Sequence, residues 1–150
     1  MKKAIKRIVI ILIVIVALPF LAYGLLLLTT PISRSDESVR DYVFRQIPAG
    51  TSWEDAIAII EEEEWEIEEI STDSGLRIND AASNVSFATS EEMLYGVKDS
   101  ETTRIVGTQA MYVRLGEYYG PFHEAVFAYL AFDENGELVE VAIRRDIDAL

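Results

Sequence analysis

Residues 124–143 read EAVFAYLAFDENGELVEVAI, and this stretch decides the fold. Glu124 to Phe132 is almost continuously apolar, the pattern of a strand covered in part on both faces. Asp133-Glu134-Asn135-Gly136 is a hairpin turn, and after it Val139, Val141 and Ile143 recur at every second position. That period makes them the inward face of a returning strand. Upstream, Arg104 to Leu115 alternates as well, with Met111, Val113 and Leu115 on one face and Ala110, Tyr112 and Arg114 on the other. A loop rich in aromatics, Gly116 to Pro121, joins it to the hairpin, so three consecutive strands close the chain.

The sequence before the strands has helical spacing. In residues 33–46 Ser33 and Ser35 are cap candidates, acids follow, and Val39, Tyr42 and Val43 share a face. Ile47-Pro48-Ala49-Gly50 breaks that helix. Thr51-Ser52-Trp53-Glu54 has the form of a capping box, with the Thr51 hydroxyl accepting from the Glu54 amide. Trp53, Ala56, Ile57 and Ile60 then predict a second helix over residues 52–64. Trp65 to Ile70 alternates as a first strand, and Ser71 to Gly75 is a turn. Residues 76–102 read least clearly: short strands at Leu76-Arg77-Ile78 and Val85-Ser86-Phe87, and a helical turn from Ser90 carrying Met93 and Leu94.

At the other end, Ile8 to Leu28 has no charged side chain. As one helix it would span about 30 Å, the thickness of a bilayer's hydrocarbon core. Lys2, Lys3, Lys6 and Arg7 precede it, whereas Arg34 and Arg40 follow among acids. The positive-inside rule then places the N-terminus in the cytoplasm. A cleavable signal peptide has a shorter apolar region, of about 7–15 residues, so an uncleaved signal-anchor is favoured. The resulting expectation is a basic cytoplasmic tail (1–7), a transmembrane helix (8–28), a linker (29–34) and an extracytoplasmic domain (35–150). The fold class expected is α+β: the transmembrane helix, then two short helices, then an antiparallel sheet of three to four strands. The location expected is the cell membrane, single-pass, in contact with lipid through residues 8–28.

All 26 acidic residues follow the apolar stretch, against nine of the 13 basic ones, a formal charge of −17 for that part. Such a surface repels nucleic acid, so no nucleic-acid partner is expected. With no cysteine there is neither a disulfide nor a lipoprotein acylation site. Glu61-Glu62-Glu63-Glu64 opposes the dipole at its helix end, and adjacent glutamates on a helix diverge rather than converge on one ion. A solvated face is the simpler account.

Gly50-Thr51-Ser52-Trp53-Glu54-Asp55-Ala56 resembles the G-x-[ST]-x-x-x-[VA] helix start of the SmpA/OmlA (BamE-like) envelope proteins. Tyr129 to Val139 (YLAFDENGELV) resembles their y-x-F-d-x-x-G-x-L hairpin. The resemblance implies two short helices before a three-stranded antiparallel sheet, as in the related beta-lactamase-inhibitor-protein repeats, and a small module that binds proteins without catalytic residues. The apolar N-terminal stretch, the missing lipidated cysteine and a longer middle segment depart from that family.

Chemistry-bearing patterns are few. His123 is the single histidine, so zinc lacks ligands. No G-x-S-x-G elbow accompanies it for a Ser–His–Asp triad. Asp133-x-Asn135-Gly136 echoes the front of a calcium loop without the later ligands. Asn84-Val85-Ser86 has the glycosylation pattern. No enzyme, cofactor or metal is therefore expected. Tyr112, Tyr118, Tyr119, Phe122 and His123 form the candidate protein-contact patch around the aromatic loop, because tyrosine is enriched in contact surfaces. The function expected is an anchored extracytoplasmic interaction or scaffold module; the alternative is a domain sensing a ligand or cation.

Overall fold

The computed structural model describes residues 13–22, 24, 30–80, 84–97, 102–119 and 123–148. Residues 13–22 and Gly24 are helical, and Ile13, Val14, Ile15, Leu18 and Phe20 are exposed there. The expected transmembrane helix is corrected by this structure: among the described residues no helix is long and apolar enough to cross a membrane. The single-pass, signal-anchor assignment and the cell-membrane location drawn from it fall with that helix. The remaining parts of the expected span, and the basic tail, lie outside the described residues.

The rest is α+β. A 3₁₀ turn, Pro31–Ser33, leads into helix α1, Asp36–Gln46. Ser35 caps α1 by accepting from the Ser38 amide, and Asp36 and Glu37 occupy its positive end. Helix α2, Trp53–Glu62, starts one residue later than the capping-box pattern suggests. Thr51 is occupied: its hydroxyl donates to the Pro48 carbonyl at 2.7 Å and its own carbonyl accepts from the Leu138 amide. Ser52 therefore caps α2 by accepting from the Asp55 amide.

Strands β1 (Glu66–Ser71), β5 (Gln109–Tyr119), β6 (His123–Phe132) and β7 (Leu138–Asp148) form an antiparallel sheet in the order β1-β5-β6-β7. Between β1 and β5 the chain makes a second sheet, β3-β2-β4, from β2 (Leu76–Asn79), β3 (Asn84–Phe87) and β4 (Thr103–Val106). Helix α3, Ser90–Tyr95, follows β3 and is closed by a capping box between Thr89 and Glu92. Alternation along the main strands separates two cores. Val39, Val43, Ile47, Ala56 and Ile60 of the α1–α2 region pack on Met111, Val113, Leu130, Phe132 and Val141. On the opposite face, Leu76, Ile78 and Val85 of the small sheet pack on Ala110, Tyr129 and Ala131.

The alternating run from Arg104 to Leu115 is thus two strands in different sheets, and Gly107 is the crossing point. Its φ is +74°, and a Cβ there would lie 2.5 Å from the Phe132 carbonyl oxygen. Gly75 approaches equally closely, its own Cβ position lying 2.1 Å from the Gly107 carbonyl oxygen. The two sheets meet where backbone passes backbone, which only glycine allows. The returning strand also differs from expectation. A bulge between Ala131 and Phe132 in the β6–β7 register puts Leu138, not Val139, on the inward face; Leu138 is buried and Val139 is exposed.

The two motifs singled out in the sequence meet in space. The start of α2 and the β6–β7 hairpin are tied by Trp53 N donating to Gly136 O and Gly50 N donating to Leu138 O, both at 2.8 Å. Trp53 adds an edge contact to Phe132, with ring centres 4.8 Å apart.

Candidate functional site

Tyr112 and Tyr118, two of the aromatic residues expected to form a patch, lie on opposite faces of the main sheet. Tyr112 and Tyr118 are an even number of residues apart, so a regular strand would put them on one face. The register shift between Arg114 and Gly116 reverses that. Tyr118 packs against the helix-side core, its hydroxyl donating to Glu124 and accepting from Arg145 Nη1 at 3.0 Å. Burial, reinforced by the bond to Glu124, pushes its phenol above the ordinary value. Tyr112 lies on the other face, stacked on Tyr129 (4.4 Å) and Phe127 (4.8 Å), and burial pushes its phenol up strongly. His123 Nε2 is 2.8 Å from Glu117 Oε2, and Glu117 also meets Arg114. Tyr119 pairs with His123 in the β5–β6 register. Phe122 lies outside the described residues.

A second constellation sits where the sheets join. Glu140 of β7 receives Arg40 Nη2 of α1 on Oε1, and both Arg104 nitrogens of β4, Nη1 at 3.2 Å and Nη2 at 3.1 Å, on Oε2. Asp80 lies 3.3 Å from Arg104 Nε. Burial alone would raise the Glu140 pKa; the bonds from Arg40, the Val141 amide and Arg104 outweigh it and hold the carboxyl below the usual range. The group borders a cleft of about 280 Å³ shared with Ile78, Val141 and Ala142. Its two acids balance its two arginines, so it is built to join α1 and both sheets rather than to attract an ion. Glu140 has no sequence signature of its own. The signal for its burial is the small residues Ala110, Ala131 and Ala142 on the same face, which leave room for a second layer.

The third feature is β1, an end strand. Its burial pattern is exposed throughout except at Ile67 and Ser71, which are half-buried. Val113 and Met111, the β5 partners of Ile67 and Ile70, are buried on the helix side. Glu66 and Glu69 pair with Arg114 and Tyr112, on the opposite face, and the register shifts at Glu68 between them. Arg114 Nη1 stands 3.9 Å from Glu68. The strand is entered from Glu64, whose φ of +58° is unusual for a side-chain-bearing residue. The opposite edge of the sheet is covered: α1 packs along β7, and Arg40 Nε donates to the Val141 carbonyl at 2.8 Å.

Among the described residues no group of three or more His, Cys, Asp or Glu is placed to hold a metal ion. No protein-family model, curated protein or solved structure matches the chain.

Proposed function

We propose that the α+β domain is a non-catalytic protein-interaction module that accepts a partner strand along the outer edge of β1. The observation that carries this reading is the asymmetry of the main sheet. Its β7 edge is covered by α1 and closed by Arg40, whereas β1 ends the sheet and is exposed at four of its six residues. An end strand presents a row of backbone donors and acceptors, which is what strand addition uses. The order of α1, α2 and antiparallel strands is also the one implied by the resemblance to the SmpA/OmlA proteins, a protein-binding family, and supports the same reading.

Proline substitution at neighbouring positions tests it. In a regular strand successive N–H groups point to opposite edges. Of Glu69→Pro and Ile70→Pro, one removes a ladder bond to β5 and lowers the Tm. The other removes an outward N–H and leaves the Tm near wild type. A partner captured by the wild-type chain from its own cells, and crosslinked through β1, should be lost by the variant of unchanged Tm. Retention of that partner by this variant would overturn strand addition.

A further inference from the structure

We infer that the strand taken up at β1 is a basic one, alternating Lys or Arg with apolar residues. The inference rests on the strand-addition reading above and adds the chemistry of the partner. A strand laid outside β1 continues both faces of the main sheet, with side chains about 4.5–5.5 Å from those directly opposite. On the helix side its neighbours are Ile67, half-buried against the core, and Ile70, which is 46% exposed although its β5 partner Met111 is 0% exposed. The apolar layer therefore stops at β1 with a side chain still uncovered. On the opposite face the neighbours are Glu66 and Glu69, with Glu68 at the bulge between them. Arg114 is the cation beside them, and it is shared with Glu117.

The edge supplies the site, and its charge selects the occupant. Charged side chains on an end strand normally guard it against pairing. Here every charge on the strand is negative, and Glu61 to Glu64 precede it. A second copy of the same edge is repelled by like charges placed opposite one another. A strand with lysine or arginine at alternate positions meets attraction on one face and the exposed Ile70 on the other.

Binding of short synthetic peptides to the full chain, read by fluorescence anisotropy, tests this. The probes are an alternating Lys–Val peptide, an alternating Glu–Val peptide of equal length, and a Lys–Val isomer with its lysines in one block. The alternating Lys–Val peptide should bind about tenfold more tightly than the block isomer, and raising salt to about 0.5 M should weaken it. The Glu–Val peptide should not bind. The E66K/E68K/E69K variant, whose three substitutions are all exposed, should reverse the preference between the Lys–Val and Glu–Val peptides. Equal binding of the two alternating peptides would overturn the basic class while leaving strand addition standing. Equal binding of the two Lys–Val isomers would reduce the effect to diffuse charge and overturn the inference. So would failure of the alternating Lys–Val peptide to bind. The proline variants above decide the strand-addition reading separately.

Discussion

Arg40 Nη2 and Glu140 Oε1 lie 2.5 Å apart across 100 residues of sequence. This contact closes the gap between α1 and β7. The Glu140 side chain is 12% exposed, against 43% and 46% for Arg40 and Arg104. The carboxylate is thus the desolvated member and the arginines reach it from the solvent side. Removing it leaves two cations still partly hydrated, whereas removing Arg40 strips a buried charge of a partner. Glu140→Ala should cost about 1–3 kcal/mol, below the full cost of breaking a wholly buried pair. A denaturant double-mutant cycle with Arg40→Ala should give a favourable coupling energy; a cycle that sums to zero would mean that the contact does not hold the layers together.

The same carboxylate makes stability depend on acid pH. Glu140 is held below its ordinary value of 4.5, and Asp133, fixed by the Glu137 and Asn135 amides, below 3.8. A group whose folded pKa is depressed binds protons more readily when unfolded. Its contribution is therefore present above the unfolded pKa and is lost as pH falls through the folded one. Urea midpoints should hold steady down to about pH 4.5 and then decline. The decline should be shallower in Glu140→Gln, which has no proton to take up at that position.

Periodicity makes α1 and α2 legible, because Val39/Val43 and Ala56/Ile60 repeat at helical spacing, and the Asp133–Gly136 turn after an apolar run marks the β6–β7 hairpin. It does not reveal an extra residue. The bulge beside Leu115 sends Tyr112 and Tyr118 to opposite faces, and the bulge at Val139 exchanges it for Leu138, with no change in the pattern of residue types. β2, β3 and β4 have four residues each, too few to establish a period, and β4 runs into β5 in one alternating stretch. Only Gly107 marks the crossing.

The crossing point yields a paired prediction. Gly107 and Gly50 both have positive φ, at +74° and +84°, but only Gly107 has backbone against its Cβ position. Gly50→Ala should cost about 1 kcal/mol, the backbone penalty alone. Gly107→Ala adds a collision with the Phe132 carbonyl and should cost clearly more, above about 2 kcal/mol. Chemical denaturation of the two variants measures the difference. Equal losses would show that the two sheets can part at this point without penalty.

Arg145 is the other long-range tie, and its geometry predicts what lysine cannot replace. Nε meets Asp36 Oδ1 at 2.5 Å, Nη1 donates to the Ile32 carbonyl at 3.2 Å and to the Tyr118 hydroxyl, and Nη2 donates to the Arg34 carbonyl. One planar fork thereby holds the 3₁₀ turn and the start of α1 against β7. Ile32 beneath it rests where a side chain at Gly116 would stand, its Cδ1 3.1 Å from that Cβ position. A lysine ammonium can keep the Asp36 contact but cannot span both carbonyls. Arg145→Lys should cost about 1–3 kcal/mol. Amide exchange should rise selectively in Ser33, Arg34 and the first turn of α1. The amides of β5 and β6 should stay protected: Arg145 pairs with Val126 in the β6–β7 ladder through its backbone, which the substitution leaves in place. Uniform acceleration across the domain would instead place Arg145 in the global folding unit and refute a local strap.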